Sequence, residues 1–371
     1  MHSKKNYIYS IALAALLLLA PGISYSQVAI TAVPFLQIEP DSRSAGMGNA
    51  GVALADNASA VFWNPAGLAF QEGHEFSLTH SSWLPEFDVD MFYNYVSGRY
   101  YVEGIGSIGG HITYLNLGEQ VRTDETGQEL GTFSSYDLAF GLSYAFKLND
   151  NFSLGTGLRY VYSNLVPEGT DVSGQTAQNG TSIGLDLAAL YRSNEFSVGN
   201  RAAQVRAGMN LSNLGPSIQY TDEEQKDPMP TLLRVGWAYK MDIDSDGFNT
   251  ITITNDFSKI MARNDEDGIA MNPIEALFNS WDTWHNSLDN VDVPLSEQIM
   301  IGVGAEYWYD NLFALRAGYF YESPNNGDRE FLTFGAGLRY NMFGVDFSYI
   351  YTLEEQHPLA NTLRFTALLS F

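Results

Sequence analysis

The residues with the most chemical potential are arginines and carboxylates set at alternate positions along short apolar segments. Arg159, Arg206, Arg234, Arg316, Arg339 and Arg364 share one face of their segments with Asp137, Asp186, Glu306 and Asp346. Such pairs on one strand face suit a hydrated or ion-paired interior. Other groupings do not lead to catalysis. Asp242-Ile243-Asp244-Ser245-Asp246-Gly247 has the opening spacing of a calcium loop, but Ile253 stands where the bidentate Glu belongs. A solvated acidic turn is the better reading. Gly104-Ile105-Gly106-Ser107-Ile108-Gly109 matches a dinucleotide fingerprint only in spacing, because strand residues and no helix follow it. The histidines are scattered, no carboxylate pair sits at ligand spacing, and no Gly-x-Ser-x-Gly elbow occurs. The expectation is a non-enzyme with no catalytic residue, no metal and no cofactor.

A binding surface is a better prospect. Asn272-Pro273-Ile274-Glu275 reads as a helix start, with Asn as cap, Pro in the first turn and Glu behind it. Ile274, Leu277, Phe278, Trp281, Trp284 and Leu288 then recur at helical spacing. Such a stripe must be buried somewhere, against a partner, around a hydrophobic ligand, or over neighbouring loops. The same stretch is rich in acid, with Asp265, Glu266, Asp267, Asp282 and Asp292 facing Lys259 and Arg263, which reads first as a solvated face.

What positions these residues is a strand rhythm. Leu138, Phe140, Leu142, Tyr144 and Phe146 alternate with Asp137, Ala139, Gly141, Ser143 and Lys147, and Leu332, Phe334, Ala336, Leu338 and Tyr340 alternate with Thr333, Gly335, Gly337 and Arg339. Fourteen candidate strands follow, at 75–83, 89–101, 105–117, 133–147, 151–163, 181–192, 203–212, 231–241, 249–257, 298–308, 312–321, 330–340, 343–353 and 361–371. The last has Leu363, Phe365, Ala367, Leu369 and Phe371 on one face and Thr362, Arg364, Thr366 and Ser370 on the other. Connections alternate between short turns (Asp310-Asn311, Asn341-Met342) and long loops at 118–132, 164–180, 213–230, 258–297 and 322–329. This is the pattern of an all-β, 14-stranded antiparallel transmembrane barrel with short periplasmic turns and long outer loops.

The ends and the composition agree. Lys4 and Lys5, the apolar run Ile11–Ala20 and the small residues Ser24-Tyr25-Ser26 form an export signal over 1–26, cleaved near Ser26-Gln27. Its apolar run is too short for a spanning helix, which needs about 20 residues. Removing both lysines takes the formal charge of −24 to about −26. That acidity argues against a nucleic-acid partner, and the absence of cysteine removes disulfides and thiolate metal sites. The expected location is the outer membrane, with its lipids against the apolar faces.

Residues 27–74 do not alternate. They are rich in Gly and Ala, as an irregular plug in the lumen of a barrel spanning 75–371 would require. Asp56 is placed to cap a short helix over Ala58 to Phe62. Arg43 to Gly48 (including Gly46), Val52-Ala53-Leu54-Ala55-Asp56 and Asn64-Pro65-Ala66 resemble the hatch of FadL-type outer-membrane barrels. Pro34-Phe35-Leu36 followed by Pro40-Asp41-Ser42-Arg43-Ser44-Ala45-Gly46-Met47-Gly48 resembles the PorV/PorQ family more closely, as does the 151–165 stretch through Tyr160-Val161-Tyr162. Ala66-Gly67-Leu68-Ala69 is nearer the general FadL pattern.

The PorV/PorQ resemblance implies a subunit of type IX secretion. Such a subunit meets the large translocon barrel and the C-terminal signal domains of secreted cargo through its outer loops. The FadL resemblance implies instead passage of long-chain fatty acids or another hydrophobic small molecule. Candidate contact residues under either are Ile274, Leu277, Phe278, Trp281 and Trp284.

Overall fold

The computed structural model describes residues 31–371 except 88, 124–125, 173, 222–225, 265–268, 287–290 and 355–356. The 1–26 signal lies outside the described residues. Fourteen antiparallel strands close into a barrel: β1 (His74–Ser82), β2 (Phe92–Val102), β3 (Gly106–Thr123), β4 (Glu129–Lys147), β5 (Phe152–Asn164), β6 (Gly180–Arg192), β7 (Arg201–Leu214), β8 (Leu232–Asp242), β9 (Asn249–Ile260), β10 (Met300–Tyr309), β11 (Phe313–Tyr321), β12 (Glu330–Tyr340), β13 (Phe343–Thr352) and β14 (Leu363–Ser370). Closure runs from Glu75↔Ser370 to Ser81↔Arg364 between β1 and β14. It leaves no bare edge, as hydrocarbon requires.

Alternation sorts the side chains as the sequence requires. On β14, Arg364, Thr366 and Leu368 are buried while Leu363, Phe365 and Ala367 are exposed. The outward face carries Phe140, Leu142, Leu158, Leu315, Phe334 and Leu338, a band suited to acyl chains. Near the outer loops, Phe92, Tyr114, Tyr136 and Tyr162 form a row across β2 to β5, with successive ring centroids 6.0, 5.9 and 6.1 Å apart. At the opposite end His74 stacks on Tyr100 at 4.2 Å and lies 5.6 Å from Phe371. Aromatics at both levels mark the two interfaces of the membrane.

The turns follow from residue type. Asp310 and Asn311 both have positive φ (51° and 49°), the geometry that lets two residues reverse a twisted strand pair. Two boundaries differ from expectation. The 118–132 stretch is not simply a loop, because β3 and β4 continue pairing as far as Thr123↔Glu129, with register shifts at Asn116/Glu119 and Arg122/Thr123. β7 runs to Leu214 with a register shift between Leu211 and Leu214. There Asn213 (φ 60°) donates its backbone N–H to Asp186 Oδ1 at 2.8 Å, and Arg159 bridges the Asn213 amide oxygen and Asp186. An inward ion pair therefore pins the bulge.

Residues 32–71 occupy the lumen as short helical pieces: Pro34–Gln37, Ser42–Ala45, Ala60–Trp63 and Pro65–Phe70. Phe35, Val61, Trp63 and Leu68 form the main core with Tyr93, Tyr95, Leu115 and Val161 of the wall. The centre of the barrel is thus packed protein.

Candidate functional site

The hatch is keyed to the wall by backbone contact and by charge. Gly48 (φ 65°) donates its N–H to Thr333 at 2.8 Å, and a methyl group on inward-facing Gly302 or Gly318 would collide with Gly48 itself. Gly46 packs against Gly335 in the same way. Asn64 donates to the carbonyls of Val52 (2.9 Å) and Ala189 (3.0 Å), and its oxygen accepts from Ala66 N (3.1 Å), capping the Pro65–Phe70 turn. Ser153 of β5 donates to the Ala66 carbonyl at 2.8 Å, beside Gly155. Asp256 of β9 accepts from the amides of Gly51 (2.7 Å) and Val52 (2.8 Å).

The charged residues that alternation turns inward meet Arg43 of the hatch. Arg43 donates Nε and Nη2 to the two oxygens of Glu306 at 2.8 and 2.7 Å. Arg316 bridges Glu306 (2.7 Å) and Asp346 (2.8 Å), and Asp346 also receives Arg339 at 2.6 Å. Arg43 also pairs with Asp56, as does Arg206 at 2.8 Å. Asp56 therefore does not cap the following helix; two cations from distant positions claim its carboxylate. That helix starts at Ala60, where Ser59 is the cap residue. Paired this way, the network ties the hatch to the wall, and Arg43, Asp56, Arg206, Glu306 and Arg339 also line a cavity of about 300 Å³.

Outside, the loop after β9 holds a helix at Pro273–Asn279, capped by Asn272 through Ile274 N–H. It is shorter than the stripe predicts. The chain turns at Ser280, whose hydroxyl donates to Ala276 O at 2.6 Å, and Trp284 lies in a small hairpin pairing Trp284–Asn286 with Val291–Val293. Arg263 fastens the turn by bonding Asp282 and donating to Asn279 O at 2.7 Å. Ala276 and Ser280 face inward, so Ile274 (55 % exposed), Phe278 (76 %) and Trp281 (49 %) project outward. Leu277 is half-buried, and half-buried Trp284 lines a recess of about 60 Å³ with Lys259 and Gln298. The structure thus groups Ile274, Phe278 and Trp281 on one exposed surface and separates Trp284 from them. Leu288 and the acidic residues Asp265, Glu266 and Asp267 lie outside the described residues.

Sequence reasoning missed a second feature at this end. A cavity of about 690 Å³ lies between the hatch turn at Pro34–Gln37 and the outer loops, with Phe35, Trp83, Leu115, Phe331, Ile350 and Leu359 in its walls. Its residues come from segments far apart in the chain, and the only local signal was an apolar Pro-Phe-Leu in an otherwise small-residue segment. Among the described residues no group of three or more His, Asp or Glu side chains converges as a metal site.

Comparison with known proteins places this architecture. Similar solved structures include the Pseudomonas putida toluene transporter TodX (12 % identity, 90 % of this chain and 98 % of that one, TM-score 0.50) and the Ralstonia pickettii toluene transporter TbuX (14 %, 90 % and 97 %, TM-score 0.47). A Pseudomonas aeruginosa FadL homologue aligns at 13 % identity over 92 % of this chain and 99 % of that one, with a TM-score of 0.43. At 12 % identity the likeness to TodX is one of fold. No curated protein sequence matches. The model of the type IX secretion system protein PorV matches residues 24–267, well over half of the chain. With its closed fourteen-stranded wall and its lumenal hatch, the chain is an outer-membrane barrel that belongs to the PorV family of type IX secretion proteins.

Proposed function

We propose that this barrel is a non-enzymatic docking subunit. After loss of residues 1–26 and insertion in the outer membrane, its outer loops bind the type IX translocon barrel and the C-terminal signal domains of secreted cargo. The observation that carries this reading is the exposed group Ile274, Phe278 and Trp281, on a loop tied down by Arg263, above a bore filled by the hatch. Exposed aromatics on a fixed outer loop are what a partner interface needs at its centre.

A second reading, passage of long-chain fatty acids or another hydrophobic small molecule, draws on the apolar cavity above the hatch. It requires a lateral gap in the wall beside the hatch. Deletion of the gene separates the two. Loss of secretion of proteins bearing the C-terminal signal, with recovery of a giant barrel in pull-downs, supports docking. Unchanged secretion with lost fatty-acid uptake overturns it.

A further inference from the structure

The outer cavity has a charge character that its apolar walls conceal. Its volume of about 690 Å³ falls in the range of small-molecule sites, about 300–1,000 Å³, and the hatch turn at Pro34–Gln37 forms part of its lining. Four carboxylates line it, Glu39, Asp137, Asp328 and Glu354, of which Glu39 is already engaged, accepting from Asn49 at 2.6 Å and lying 3.7 Å from Arg364. Asp137 is 4 % exposed, and its Oδ1 is buried without a hydrogen-bond partner among the described residues. The cations beside them are already engaged or neutral. Arg329 donates Nε to Glu322 at 2.5 Å and lies over the Phe320 ring at 5.4 Å. His357 accepts the Leu359 amide on Nδ1 at 3.1 Å, and burial lowers its pKa, so it is uncharged at neutral pH.

We propose that this cavity binds a single-chain amphiphile with a cationic head group and discriminates against fatty-acid carboxylates. The apolar walls take the chain, as walls of this kind do for any alkyl ligand. The head group decides the class. An anionic head would enter beside Asp137, Asp328 and Glu354 with no unpaired cation among the described lining residues to receive it, whereas an ammonium supplies the donor that Asp137 Oδ1 lacks. Glu354 and Asp328 at the accessible rim add attraction for a cation on entry. The inference stands independently of the docking role, because it concerns what fills the cavity and not what meets Phe278 and Trp281.

The test uses the full barrel in nanodiscs of zwitterionic lipid and three radiolabelled probes of equal chain length: dodecylamine, dodecanol and laurate. Binding is counted above empty nanodiscs. Dodecylamine is expected to bind saturably and at least about tenfold more tightly than laurate, with dodecanol between them. Asp328→Asn with Glu354→Gln, both at the rim, should cut the amine-to-laurate ratio several-fold while the barrel stays folded. Leu115→Trp should remove binding of all three probes by filling the space. Laurate binding equal to or tighter than dodecylamine, no saturable dodecylamine binding, or a ratio unmoved by the rim variants would each overturn the proposal.

Discussion

Gly318 of β11 and Gly48 of the hatch touch backbone to backbone, with no room for a single carbon between them. Gly318→Val is therefore expected to overpack the contact and cost about 1–3 kcal/mol. Gly98→Val is the matched control. Gly98 faces outward, with Phe76 carbon 3.8 Å from the position of an added methyl, so the change should stay within about 0.5 kcal/mol. Urea midpoints of the refolded barrels in lipid vesicles read the difference. Equal midpoints would mean that the hatch moves aside.

Arg43 and Glu306 give a second expectation. Removing one member of a buried pair leaves the other uncompensated, at about 3–5 kcal/mol. Arg316 still holds Glu306 at 2.7 Å, so Arg43→Ala should fall at the lower end. Arg43→Ala with Glu306→Gln should then lose less than the sum of the two single changes, because they share one interaction. Strict additivity in the same urea assay would show that the pair does not couple hatch to wall.

The outer loop divides its aromatics by role. Phe278→Asp and Trp281→Ala alter side chains that project outward, and each should weaken partner recovery in pull-downs without changing barrel yield. Trp284→Ala alters a half-buried hairpin residue beside Gln298, and should instead raise protease cleavage of the loop. Pull-downs unaffected by Phe278→Asp would remove this loop from the interface.

Acid should loosen the same loop. The hydrogen bond from Arg263, reinforced by its charge, holds the Asp282 carboxyl below its ordinary pKa. The folded value is depressed, so this contribution is present above the unfolded value of about 3.9 and is lost as pH falls through the lower folded value. Protease sensitivity of 261–299 should therefore be flat from about pH 8 to pH 5 and rise below about pH 4. Arg263→Ala should show the raised sensitivity already at neutral pH.

The wall was legible in the chain and its contents only in part. Alternation such as Leu332, Phe334 and Ala336 against Thr333 and Gly335 depends on two neighbours at a time, and the structure keeps all fourteen strands within a few residues. The hatch motif was visible as composition, but its fit was not, because Gly48 meets residues more than 250 positions away. Inward glycines at 208, 236, 302, 304 and 318 were the available sign, each on a strand face where a polar side chain was expected. Asp56 was misread for the same reason: its partner Arg206 is distant in sequence. The stripe from Ile274 to Trp284 kept a helical period past the point where Ser280 and Arg263 turn the chain. A periodic pattern cannot register such a turn.

The seam between β1 and β14 sits where the hatch enters the wall. His74 and Phe371 exchange backbone hydrogen bonds at 2.7 and 2.9 Å, so the cylinder closes directly beside the point where the plug joins the wall. The plug precedes His74 in the chain and holds contacts on β5, β9, β10 and β12. The wall is therefore gripped from within on strands spread around its circumference, like staves held to one stopper. Shifting such a stopper would strain several staves at once.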